Sequence, residues 1–250
     1  MAFTDAEIER YARHLVLREV GGPGQQKLKG SSVLIVGAGG LGSPAGLYLA
    51  AAGVGALFIA DPDEVDLSNL QRQVIYTEDD IGRPKPEAAA DRLAALNPHI
   101  FVAGYNGAFD DSTADELCEG VDIVLDGTDD FAVRYAVNAA CVKHGKPLVS
   151  GAIGRWTGQV GVFGRQPCYR CLVPEIPPEA ETCSVVGVVG ALAGVVGSMM
   201  ALEAIKLIAG AGEPLAGRLL IYDALSAETR TVKVGADPDC PVCGNQRPPP

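Results

Sequence analysis

Apolar residues in the first 150 positions fall into short runs, each closed by a turn signal and followed by a stretch of helical composition. "VLIV" (33–36) leads through a glycine turn into 41–52, which stops at Gly53. "ALFIAD" (56–61) leads into the polar connection "PDEVDLSNLQRQVIYTEDDIGRPKPE" and a helix over 86–96. "IFVAGY" (100–105) and "VDIVLDGTDD" (121–130) read as strands, and 131–144 as a helix ahead of "PLVSGAI" (147–153). Strand-then-helix units in this succession predict an α/β fold with a doubly wound, mostly parallel, Rossmann-like sheet. After residue 150 the pattern changes. "GQVGVF" (158–163), "GRLLIYDA" and "TRTVKV" are strands with no helix between the last two, which predicts an antiparallel extension.

The ends are less regular. Thr4 with Glu7 forms a capping box, predicting a helix from Asp5 to about Val20 that Gly21, Gly22, Pro23 and Gly24 break. The chain is expected to be one unit to residue 245, with 246–250 a disordered tail. From Val185 to Leu202 only Ser198 is polar, and Gly190 with Gly194 makes a G-x-x-x-G. That length is near the minimum for a membrane span. A helix buried inside the domain is favoured, because no second span and no basic flank accompanies it.

A 48% hydrophobic content over 250 residues allows a sizeable core. The net charge of −11 carries no basic patch, which argues against nucleic acid. The charged N-terminal stretch has no leader-like apolar region, so a cytoplasmic location without membrane attachment is expected. In that reducing setting the seven cysteines point to metal or catalysis rather than disulfides.

The chemistry starts at "GAGGLG". Gly37, Gly39 and Gly42 fit the phosphate-cradling turn between a strand and a helix N-terminus. Asp61, at the end of the next strand, is placed to accept from ribose hydroxyls. To this point the pattern also suits NAD. The following loop adds Asn69, Arg72 and Lys85, more cationic help than a dinucleotide pyrophosphate needs, and appropriate to a triphosphate. Asp126, Asp129 and Asp130 lie at and beyond a strand end, where an acid can hold Mg²⁺ or cap a helix. Together these favour Mg-ATP over a nicotinamide oxidoreductase. Cys168, Cys171, Cys240 and Cys243 form two C-x-x-C pairs suited to a closed, structural zinc site that staples the chain's end to its middle; a redox pair is the competing reading. Cys118 and Cys141 fall in helical segments and read as inert. Cys183, ahead of the apolar helix, is either a reactive acceptor thiol or an ordinary loop cysteine.

"GAGGLGSP", "DLSNLQRQ", "GRPK", "DGTD", "PCYRCL", "TC" and "CPVCG" occur in one order, and together they resemble the MoeB/ThiF/HesA adenylyltransferases, relatives of the ubiquitin-activating enzymes. Members of the molybdopterin-synthase type are the nearest match, and thiamin-pathway members follow. The resemblance implies adenylylation, at the expense of ATP, of the C-terminal Gly-Gly carboxylate of a small ubiquitin-like sulfur carrier. A sulfur-donor protein then makes the thiocarboxylate. It implies that Gly40 and Asp61 bind the nucleotide, that Ser68, Asn69, Arg72 and Lys85 contact phosphates, and that Thr128 and Asp129 complete the site, with Mg²⁺ on Asp129. Arg13 is implied to reach in from the neighbouring subunit of a homodimer, Cys183 to take part in sulfur transfer, and the four paired cysteines to bind Zn²⁺. A carrier-binding scaffold without catalysis would lack use for Arg72 and Lys85. Asp130 departs from the Asn frequent in the family, and Gly127 from a cysteine found in some members.

Overall fold

In a computed structural model, residues 2–176 and 187–244 are described. The tail 246–250 and Cys183 lie outside them. An eight-stranded sheet runs in the order β3-β2-β1-β4-β5-β6-β7-β8. Its strands are β1 (Ser32–Val36), β2 (Ala56–Asp61), β3 (Phe101–Asn106), β4 (Ile123–Asp126), β5 (Leu148–Gly154), β6 (Thr157–Phe163), β7 (Arg218–Asp223) and β8 (Glu228–Lys233). The first five pair in parallel, and β5 to β8 pair antiparallel. The two halves expected from the change of pattern near residue 150 therefore form one continuous sheet.

Helices cover both faces of the sheet, because strands of a parallel sheet are apolar on both sides. In β1, Val33 and Ile35 face a core made with Leu28, Leu49, Leu93, Val196 and Met200. Leu34 and Val36 point the other way, toward Val124, Val137, Cys141 and Phe163. The first core is closed by α3 (Gly21–Gly30), α4 (Gly42–Ala52), α5 (Lys85–Leu96) and α9 (Gly190–Ala209). The second is closed by α6 (Ala114–Glu119), α7 (Phe131–His144) and α8 (Tyr169–Leu172).

The N-terminus corrects one expectation. The capping box forms, with Glu7 N–H donating to Thr4 Oγ1 and Thr4 N–H donating to Glu7. However, α1 ends at Arg10, Tyr11 turns the chain, and α2 covers only Ala12–Leu15. Tertiary contact overrides local propensity there: Tyr11 is buried and its hydroxyl accepts from Asn97 Nδ2 at 2.8 Å. "GGPG" then begins α3 instead of breaking a helix. Proline in a first helical turn gives up only an N–H that has no partner in the helix.

The apolar segment forms α9, which starts at Gly190 and runs to Ala209. By length and composition alone it could cross a membrane. One face, including Leu192, Val196, Met200 and Ala204, is buried in the domain. Of the G-x-x-x-G pair only Gly190 packs closely, and its close-packing companion is Gly197. A β-carbon on Gly190 would lie 2.2 Å from Gln71 O, and one on Gly197 2.5 Å from Leu41 O, whereas Gly194 faces open space.

Candidate functional site

Strand order reverses at β1: β2 and β3 lie on one side, and β4 follows on the other. Such a reversal leaves a crevice at the strands' C-terminal ends. A cavity of about 710 Å³ opens there, lined by the turn at Gly37, Gly39 and Gly40 and by Asp61, Asn69, Arg72, Lys85, Thr128 and Asp129. Nine residues expected to meet the nucleotide therefore share one surface, contributed by five separate stretches of chain. Gly42 lies beneath the turn. A β-carbon there would sit 2.0 Å from Gly37 O, so this glycine lets helix α4 leave the strand tightly and does not face the cavity.

Asp61 is built in from both sides. Its Oδ2 accepts from Ala38 N–H at 2.7 Å and its Oδ1 from Asp63 N–H at 2.9 Å. Burial pushes its pKa up, and the nearby Lys85 charge opposes that shift. Lys85 opens α5, is 4% exposed, and pairs through Nζ with Asp63 at 2.8 Å. Tyr76 ties the two parts together, its hydroxyl meeting Ala38 O at 2.9 Å and Lys85 O at 3.2 Å. Arg72 reaches the cavity from the 62–84 loop, with Nη1 donating to Ser68 O at 3.2 Å.

The three acids after β4 have separate uses. Asp126 is fully buried and accepts from Thr128 N–H (3.0 Å), Thr128 Oγ1 (2.8 Å) and Ser150 Oγ (3.3 Å). Asp130 caps α7, accepting from Ala132 and Val133 N–H. Asp129 lines the cavity and makes no hydrogen bond among the described residues. Of the three, it has the carboxylate available to a cation.

Besides Gly42, two expected residues stand apart from the cavity. Ser68 is exposed and its hydroxyl donates to Asp66, which caps the turn at 67–69. Arg13 is exposed on α2 and does not line the cavity of its own chain.

Among the lining residues that sequence reading passed over are Arg134, Tyr169 and Gln73. Arg134 is buried in α7, 3.7 Å from Asp126, and donates to Ser150 Oγ (3.2 Å), to Gly151 O (2.7 Å) and to Thr128 O. The available signal was Arg134 and Asn138, one turn apart on a helix otherwise rich in apolar side chains. Tyr169 stacks edge-on against Phe163, and Asn138 accepts from its N–H at 2.7 Å.

The four paired cysteines converge across 72 residues of sequence. Cys168 and Cys240 Sγ lie 3.7 Å apart, Cys171 and Cys243 Sγ 3.4 Å, and all four sulfurs fall within 4.8 Å of one another. A tetrahedral Zn²⁺ with Zn–S bonds of about 2.3 Å requires sulfurs about 3.8 Å apart. The donor set fits zinc, with all four positions taken by protein. Asn138 Nδ2 donates to Cys168 Sγ at 3.6 Å and Asp237 N–H to Cys171 Sγ at 3.5 Å, the outer contacts expected around bound thiolates.

Comparison with known proteins shows the family. The family described as the ThiF family matches residues 11–242. The sulfur carrier protein adenylyltransferase of Thermus thermophilus is 48% identical over 255 residues, which span 98% of this chain and 94% of that protein. The molybdopterin-synthase adenylyltransferase of Escherichia coli is 47% identical over 244 residues, 96% of this chain and 98% of its own. Among solved structures, that of Escherichia coli MccB with ATP superposes with a TM-score of 0.76 at 27% identity, over 89% of this chain and 68% of that one.

Proposed function

The chain belongs to the ThiF family, and on that premise we propose that it uses ATP to adenylylate the C-terminal carboxylate of a small ubiquitin-like sulfur carrier. The observation that carries this reading is the convergence of Asn69, Arg72 and Lys85 with Asp61 around one glycine turn. A carboxylate and a triphosphate repel each other, so bringing them together requires cations aimed at the phosphates. Arg72 and Lys85 supply fixed positive charge, and Asn69 adds a neutral donor. Asp61, with both oxygens already oriented by backbone N–H groups, retains lone pairs for the ribose hydroxyls.

In the reaction a carboxylate oxygen of the carrier attacks the α-phosphorus of ATP. The bond to the β-phosphate oxygen breaks, and pyrophosphate leaves with its electrons. No proton transfer is needed, so catalysis is positioning and charge stabilisation. Asp129 is the residue available to hold Mg²⁺, which when bound neutralises charge on the phosphates. Arg13, offered from a second subunit, would complete the ring of cations, so a homodimer belongs to this reading. The thiol of Cys183, the chain's proposed acceptor, displaces AMP to form an acyl thioester, and sulfide-level sulfur from a donor protein then displaces Cys183 to leave the thiocarboxylate. Reduced thiols suit a reducing cytoplasm.

The experiment is ATP–pyrophosphate exchange with purified carriers ending in Gly-Gly, of molybdopterin-synthase type and of thiamin type. Exchange stimulated by one carrier supports the reading and identifies the pathway. ATP binding with no exchange for any such carrier would overturn it.

A further inference from the structure

Gln73 is 3% exposed and lines the cavity. Its main chain is satisfied: N–H donates to Asn69 O at 3.0 Å, and its carbonyl accepts from Tyr76 N–H at 3.2 Å. Its side chain is not. Oε1 is buried with no hydrogen-bond partner among the described residues. Its Nε2 stands 3.5 Å from the position a β-carbon would take on Gly39. A buried carboxamide oxygen without a donor is costly, and in a ligand cavity a donor on the ligand can relieve that cost.

With the carboxamide oriented as it stands, triphosphate oxygens, which only accept, cannot serve Oε1. Adenosine offers donors at its exocyclic amine and at its two ribose hydroxyls. Place decides between them. Gln73 covers Gly39, and Asp61 holds the adjoining Ala38 N–H at 2.7 Å. The two side chains therefore border the same dipeptide of the glycine turn, where the ribose is expected. A hydroxyl both donates and accepts, so it satisfies the carboxamide in either orientation.

We propose that Gln73 is a ribose-recognition residue, receiving one hydroxyl of the diol while Asp61 receives the other. This inference rests on ATP being the bound nucleotide. It makes the site selective for ribonucleotides at a residue distinct from the acid.

The test is a thermodynamic cycle on the full chain. Binding of ATP, 2′-deoxy-ATP and 3′-deoxy-ATP is measured by calorimetry for wild type and Gln73→Met. Loss of the partnered hydroxyl should weaken wild-type binding about tenfold, and Gln73→Met should weaken ATP about tenfold. The variant should then bind one of the two deoxynucleotides no more weakly than ATP. Additive losses for both deoxynucleotides overturn the proposal. Because the variant removes an unpaired buried oxygen, its unliganded melting temperature should equal or exceed wild type; a lower one assigns the amide a structural role and also overturns it. If wild type binds no ATP, both this inference and the function fall. If it binds ATP but the cycle is additive, only the role of Gln73 falls.

Discussion

The guanidinium of Arg134 donates to the carbonyl of Thr128, the residue immediately before Asp129. The same side chain holds Gly151 O and Ser150 Oγ and lies 3.7 Å from Asp126. One buried cation thus fixes the bend that presents Asp129 to the cavity. Removing one partner of a buried ion pair strands the other charge and costs about 3–5 kcal/mol. Arg134→Met should therefore lower stability by roughly that amount. Asp126→Asn combined with Arg134→Met should recover part of the loss, because no unpaired charge remains. Urea denaturation of the single and double variants checks this; equal destabilisation would refute the pairing.

Arg72 and Asp129 make little structure of their own. Arg72 has one side-chain hydrogen bond to Ser68 O, and Asp129 has none among the described residues. Replacing either with alanine should change stability by less than about 1 kcal/mol. Carrier-dependent ATP–pyrophosphate exchange should fall by a factor on the order of 100 or more, as for loss of one electrostatic donor at a reacting phosphate. Exchange at the wild-type rate in either variant would remove that residue from the reaction.

Zinc should act on stability ahead of nucleotide affinity. The four sulfurs join the turn at 168–171 to the turn at 240–243, and closing so long a loop stabilises the folded state by several kcal/mol. Complete metal removal, checked by elemental analysis, should lower the melting temperature by about 10 °C or more. Tyr169, next to Cys168, also lines the cavity, so weaker ATP binding should accompany the loss as a smaller effect. An unchanged melting temperature would count against the staple.

Acid should loosen the N-terminus. The Lys29 ammonium beside Glu7, at 2.7 Å, and the Thr4 N–H hold the Glu7 carboxyl down from 4.5 to about 2. A carboxyl depressed in the folded state contributes stability above its unfolded pKa, and that contribution fades as pH falls from 4.5 toward 2. Glu7→Gln should be less stable than wild type at neutral pH, and the gap should close across that window. A gap independent of pH between 6 and about 2 would exclude the ion pair as its source.

The sequence by itself determined the elements whose signals are local. Short apolar or β-branched runs marked all eight strands, Gly53 and Gly145 closed their helices in left-handed conformation as C-caps do, and Thr4 with Glu7 formed the box its spacing required. Gly37 and Asp61 were also legible, because the turn and strand end that carry them are written in short spacings, whereas Arg72 and Lys85 were marked by their charge and Asp129 by the family resemblance. Tertiary structure decided the rest. Which of Asp126, Asp129 and Asp130 stays available depended on Ser150, Arg134 and the start of α7, groups up to 24 residues away in sequence. That "GGPG" opens a helix depended on where buried Tyr11 turns the chain, and the unpaired oxygen of Gln73 emerged only once the loop was laid over Gly39. Periodicity and capping act within a few residues, whereas burial, desolvation and pairing are set by whichever distant segments the fold brings into contact.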